Sequence, residues 1–337
     1  LMTREYLTAI IAGSCLTMLT PSVAAQSGLA TQRTPEGHPN IQGLFTFRTL
    51  TPLERPVIEA GASAALAGKE SLTAEEAAAY EASRRTELNR DLQNLQVHAP
   101  GVRYQSLAEG GVGGYNEFWY ERGIELTSDK RTSLVVDPPS GRIPYREEFQ
   151  AVSRIDRLNI RNGFADSYTD RSLSDRCLLG FNAGPPMVSS AYNNNVQILQ
   201  TADYVVIFNE MVHNARIVPI DGRPHGVLKQ YSGDSRGHWE GETLVIETKN
   251  FLRETSLAGS SQDTHLVERF RRVDPDTVIY EFTVTDPNGY THPWTAAMPL
   301  RRTDGPLFEY ACHEGNIGLS GILAGARNLD TQRVRTP

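Results

Sequence analysis

The sequence contains no apolar run long enough to cross a membrane. Its most hydrophobic stretch, Tyr6 to Leu19, is interrupted by Gly13, Ser14 and Thr17 and falls short of the ~20 residues a spanning helix needs. A basic cluster is also lacking, and the formal net charge is −7, which argues against nucleic acid and anionic membrane surfaces as partners. Nucleotide-binding fingerprints are missing as well. Gly110, Gly111, Gly113 and Gly114 have neither a strand before them nor a helix after them, and Gly61 to Lys69 has the wrong spacing for a phosphate loop, with no Ser or Thr after the lysine. No cysteine or histidine pair shows zinc-ligand spacing, and no internal repeat supports a propeller.

What is present begins with an export signal by composition. Arg4 precedes the apolar stretch, Pro21 breaks it, and Val23-Ala24-Ala25 supplies a small-residue cleavage site before Gln26. Residues 1–25 are therefore expected to be removed, leaving a secreted or periplasmic protein without membrane insertion. Two of the 3 cysteines, Cys177 and Cys312, remain in that mature chain. In an oxidising compartment they are expected to form a disulfide; two free buried thiols are the alternative.

The N-terminal arm, residues 26–176, reads as irregular and helical with the first strands. Ile41 to Phe47 alternates as a strand, Thr73-Ala-Glu-Glu76 is a capping box opening a helix to about Leu95, Thr132 to Asp137 is a second strand, and Glu147 to Leu158 a second helix. A core at residues 177–316 follows, with strands at Val196–Gln200, Tyr204–Glu210, Asn214–Ile220, Thr243–Asn250, His265–Val273, Thr277–Thr285, Trp294–Arg301 and Leu307–Cys312. Asp221-Gly222, Asp274-Pro-Asp276, Asp286-Pro-Asn-Gly289 and Asp304-Gly-Pro306 mark turns between them. Residues 317–337 are a C-terminal tail. Short connections, with the strands at Gly43 and Leu134 added to the count, predict a mainly β fold, an antiparallel meander closing into a calycin-like barrel. A two-sheet sandwich is the alternative, since strand counting does not separate the two.

A closed sheet turns alternate side chains inward, so polar residues at its mouth are where a ligand or catalytic site is expected. Glu210, His213 and Arg216 flank a hairpin and form the first candidate set: His213 as acid or base, Glu210 orienting it, Arg216 holding an anionic or carbonyl group. The bland alternative is an exposed hairpin with a surface ion pair. His265, Glu281 and His313 are second candidates, with His292 near them, and periodicity leaves open whether Glu281 or its neighbours Tyr280 and Phe282 face inward. Three converging histidines would suit zinc with an open position, but no local spacing supports a metal, and no cofactor is expected. Trp294, Tyr310 and Tyr280 are candidates for ligand stacking, with core packing as the default. Gly233-Asp-Ser-Arg-Gly237 spells a nucleophile elbow, yet the following residues lead into a strand rather than a helix. A glycine-bounded turn is the expectation there.

Several phrases carry a resemblance, among them Thr51-Pro-Leu-Glu-Arg-Pro56, Arg131-Thr-Ser-Leu-Val-Val-Asp-Pro-Pro139, Glu210-Met-Val-His-Asn-Ala-Arg216, Gly233 to Ile246 and Glu309-Tyr-Ala-Cys-His-Glu-Gly-Asn316. The chain resembles an uncharacterised family of secreted proteins present in multiple copies in soil bacteria. The resemblance implies export and one continuous unit, and no activity. A looser, shape-level similarity is to lipocalins, whose first strand holds Gly-x-Trp; here Gly43-Leu44-Phe45 has phenylalanine at the tryptophan position. Two functions are expected: an exported enzyme performing cofactor-independent acid–base chemistry as a lyase, isomerase or hydrolase on a small, partly apolar molecule, or a carrier or sensor holding an apolar ligand in the barrel.

Overall fold

Alternation sets the architecture. In Thr277–Thr285, Val278, Tyr280, Phe282 and Val284 are buried and the residues between them half-buried, the period-2 mark of a strand with one face on a core. The computed structural model describes residues 32–57, 62–92, 116–148, 165–253 and 260–335. Among them ten strands make one sheet: β1 (Gly43–Thr46), β2 (Val135–Asp137), β3 (Asn195–Gln200), β4 (Tyr204–Asn209), β5 (Ala215–Pro219), β6 (Asp234–Glu240), β7 (Thr243–Lys249), β8 (His265–Asp274), β9 (Thr277–Thr285) and β10 (Trp294–Arg302). The order is β5-β4-β3-β1-β10-β9-β8-β7-β6, antiparallel at every pairing, with the short β2 also on β10. Pro299 falls between the β2 and β1 registers of β10, where that edge has no ladder partner. The expected meander is thus one continuous sheet curled nearly into a barrel, and the sandwich alternative does not apply.

Closure is incomplete at one seam. Nine antiparallel staves leave the outermost two, β5 and β6, pointing the same way, and parallel neighbours need a crossover rather than a hairpin. Residues 220–233 supply it, tied back by Arg236 Nε donating to the Pro224 carbonyl at 2.8 Å. No ladder joins β5 to β6. They meet through side chains, and a Cβ at Gly237 would lie 2.9 Å from Ile220 Cγ2 and 3.2 Å from Val218 Cγ1, so glycine permits the approach.

The barrel interior is filled. Phe270, Tyr280, Phe282, Trp294 and Tyr290 form a chain of ring contacts with successive centroids 4.8–5.8 Å apart. Val196, Ile198, Val205, Ile207, Leu244, Ile246, Leu266, Met298 and Leu300 pack around them. One end is plugged by the loop that carries Met187, which is fully buried. At the other end Arg272 donates to the carbonyls of Asn40 and Gln42 at 2.7 and 2.9 Å, and His38 stacks on Trp239. The expected open mouth is therefore sealed by the chain itself.

Outside the wall, α1 (Ala74–Leu88) opens with the predicted Thr73–Glu76 capping box. It buries Ala77 and Tyr80 with Leu50, Leu66, Leu72 and Leu126 in a second, smaller core. It ends at Leu88 with Asn89 as cap, short of the predicted Leu95, which lies outside the described residues. Of the predicted helix Glu147 to Leu158 only the first two residues are described, and the export signal, residues 1–25, and the glycine cluster at 110–114 are outside them altogether.

Several expectations are corrected. β1 is a full stave between β10 and β3, so the barrel takes in part of residues 26–176 as well as residues 177–316, as the added strand at Gly43 requires. Only Gly233 belongs to a turn; Asp234 to Gly237 is the start of β6, where Ser235 is buried and its Oγ lies 2.8 Å from Thr248 Oγ1. Leu307 to Cys312 joins no ladder. Residues 317–337, read as a tail, contain α2 (Ile317–Arg335). The disulfide expectation is met: Cys177 and Cys312 are bonded. Among the described residues no helix is long and apolar enough to cross a membrane.

Candidate functional site

At the plugged end of the barrel the chain leaves β4 through a tight turn, Met211–His213, and enters β5. Val212 and His213 both hold left-handed backbone angles, φ 55° and 50°, a conformation costly for a β-branched residue. Glu210 at the head of this turn is buried. Its Oε1 accepts from the backbone N–H of Phe308 at 3.0 Å and its Oε2 from Asn195 Nδ2 at 2.9 Å. The exposed His213 accepts the Tyr310 N–H on Nε2 at 3.0 Å, which requires that nitrogen to be unprotonated in this arrangement. Glu210 and His213 thus hold down residues 308–310, the segment expected to be a strand. Side-chain acceptors take the amides that a ladder would have used.

The same Asn195 Nδ2 that serves Glu210 also donates to Glu121, at 3.1 Å to Oε1 and 3.3 Å to Oε2. Two carboxylates therefore share one amide, brought together by the first residue of β3 and by the extended segment 120–122. Glu121 is one-third exposed and has Arg48 3.5 Å away on its outer side. Burial, and next the charge of Glu210, push its carboxyl above its ordinary value, against the opposing pull of Asn195 and Arg48. Rings gather alongside: Tyr192 stacks near-parallel with Tyr310 at 6.4 Å and meets Tyr120 and Phe181 edge-on at 6.3 and 5.4 Å. A partly exposed carboxyl with a raised pKa, close to a buried carboxylate and to amphipathic rings, is equipped to give and take protons from a molecule lying on those rings.

Arg216 does not share this rim. It lies on the same face of β5 as Val218, which alternation turns inward, and its guanidinium forms a bidentate pair with Glu268 inside the barrel, Nη2 to Oε1 at 2.8 Å and Nη1 to Oε2. Glu268 outweighs the burial penalty and holds the arginine above its ordinary pKa. The Tyr280 hydroxyl donates to Glu268 at 2.7 Å and accepts from the Met187 N–H at 3.1 Å. Burial pushes that phenol well up. An inward chain of partners thus ties the plug to the far wall.

The second candidates are dispersed. Glu281 sits on the outer face of β9, paired across the strand with Arg269, while Tyr280 and Phe282 take the interior. His265 lies 3.6 Å from Glu247 on the outer surface, His292 Nδ1 contacts the Pro293 carbonyl at 2.9 Å, and His313 is exposed beside the disulfide. Among the described residues no three His, Cys, Asp or Glu side chains converge as metal ligands, so the three-histidine grouping is not formed. Trp294 and Tyr280 are core residues with no exposed face; Tyr310 alone of the predicted stacking residues reaches this rim, its ring on Tyr192 and its amide on His213. Glu121 was not anticipated. Its only local signal is an acid between Tyr120 and Arg122, and its partnership with Glu210 exists only through Asn195, far from it in sequence. Compared with known proteins, the chain matches no family model, and no curated protein matches it.

Proposed function

We propose that this protein is an exported enzyme performing cofactor-independent acid–base chemistry on a small, partly apolar molecule, with Glu121 as the proton-transferring group. The observation that carries the reading is the pair of carboxylates joined by Asn195, one accessible and one buried. Burial and, next, the charge of Glu210 raise the Glu121 pKa, and Asn195 links the two carboxylates. The rings of Tyr192 and Tyr310 supply the apolar platform, and His213 stands at the edge of the same site. A lyase, isomerase or hydrolase needs such a group; the side chains do not choose among them. The barrel interior, filled with aromatic rings, argues against the second reading of an apolar ligand carried inside it. Export is supported by the composition of the first residues, the disulfide and the resemblance to secreted proteins.

The electrostatic part is tested without a substrate. A carbon-detected NMR titration of the glutamate carboxyls is expected to find Glu121 titrating above the ordinary glutamate range and to move it down in Glu210→Gln; an ordinary Glu121 in both would remove the basis of the proposal. With a turnover found by substrate screening, Glu121→Gln is expected to abolish it without lowering the melting temperature. Full turnover in that variant would overturn the assignment.

A further inference from the structure

On the opposite side of segment 120–122 lies a cleft of about 350 Å³ between α1 and the plugged end of the barrel. The chain runs extended through Tyr120, so Tyr120 and Arg122 turn into this cleft while Glu121 turns away toward Asn195. The floor is apolar, made by Leu50, Leu53, Leu66, Leu88, Leu134 and Val188. Its charged lining is cationic: Arg84, Arg90 and Arg122 line it, and among the described residues no Asp or Glu does. In a chain of net charge −7 this is a local reversal of sign.

The arginines have partners behind the wall. Arg84 meets Glu87 at 2.8 Å, and Arg122 meets Glu117 at 3.7 Å, donates to the Leu88 carbonyl and lies over the Tyr120 ring at 4.1 Å. Glu87 and Glu117 anchor two of the guanidiniums from outside the cleft. Burial, together with the repulsion of Arg90 and Arg84, lowers the Arg122 pKa, against the pull of Glu117. An anion in the cleft would relieve that repulsion.

We propose that this cleft binds a small amphiphilic anion, its carboxylate or comparable anionic head held by Arg84, Arg90 and Arg122 and its apolar body on the leucine floor. Guanidiniums with planar, fixed donors suit such heads. The volume lies at the low end of ligand pockets, which run about 300–1,000 Å³, so a short chain or single ring fits. The site is separate from the carboxylate pair and does not rest on the acid–base reading.

Octanoate titrated calorimetrically into the mature, oxidised protein tests this. Saturable one-to-one binding is expected, weakening with added salt, and about tenfold or more weaker in Arg122→Gln. Octanamide and octylammonium, of the same length but neutral or cationic, are expected to bind far less. If Arg122→Gln fails to fold, Arg84→Gln and Arg90→Gln carry the comparison. Glu121→Gln is expected to bind octanoate as the parent does, which keeps the two proposals distinguishable. No saturation up to millimolar octanoate, equal binding of octanamide, or unchanged affinity in the folded arginine variants would overturn the proposal.

Discussion

Glu121 and Arg216 show what burial does to single charges. The raised carboxyl pKa of Glu121 means that the folded state binds its proton more tightly than the unfolded state does. Its contribution to stability is fully present below the unfolded value and is lost as pH rises through the folded one. Glu121→Gln, which keeps an acceptor for Asn195, is therefore expected to gain stability relative to the parent as pH rises across that window, the difference levelling off above the folded value. Urea melts of both proteins over a pH series measure it, and a pH-independent difference would contradict it. For Arg216 the sign is reversed, because its charge is already matched. Arg216→Met leaves Glu268 buried without a counter-charge and is expected to cost about 3–5 kcal/mol in urea unfolding. The double variant Arg216→Met/Glu268→Met should recover much of that loss but not all, since the Tyr280 hydroxyl then lacks its acceptor.

At the level of elements, the C-terminal segment depends on two kinds of tie: the amides of Phe308 and Tyr310 on Glu210 and His213, and the Cys177–Cys312 bond across a sequence separation of 135. Cys177→Ser/Cys312→Ser is expected to lower the unfolding free energy by about 3–5 kcal/mol through the loop the bond closes; a double variant within experimental error of the parent would mean the hydrogen bonds alone suffice. This segment also marks where the sequence was legible. β3, β4, β5, β7, β8, β9 and β10 could be read because apolar residues alternate between turn residues. β6 was hidden because Gly233 and Gly237 imitate a turn, although the second glycine is there for a close approach between strands. α2 was hidden by Gly318, Gly321 and Gly325, which weaken a helical pattern. Glu210 and His213 fall at one rim, but their side chains bond Phe308 and Asn195, and Tyr310, rather than each other, and Arg216 was misplaced: its face is set by Val218, two residues on, rather than by its nearness in sequence to His213. The Glu121–Glu210 pairing depends on which residue begins β3, a matter of register that no local pattern carries.

For the whole molecule, the odd number of staves has a measurable signature. The ladder β7-β8-β9-β10 is continuous, whereas β5 and β6 face each other without one. Amides on those facing edges are expected to exchange with deuterium much faster than those of β8 and β9, in a native-state exchange experiment resolved by residue; equal protection would require a bonded seam. Placing β1 between β10 and β3 has a consequence for synthesis. A growing chain released before residues 294–302 leaves its earliest stave with one neighbour and an unpaired edge. Ring formation thus waits for the distant partner, a high-contact-order step that favours slow, late completion.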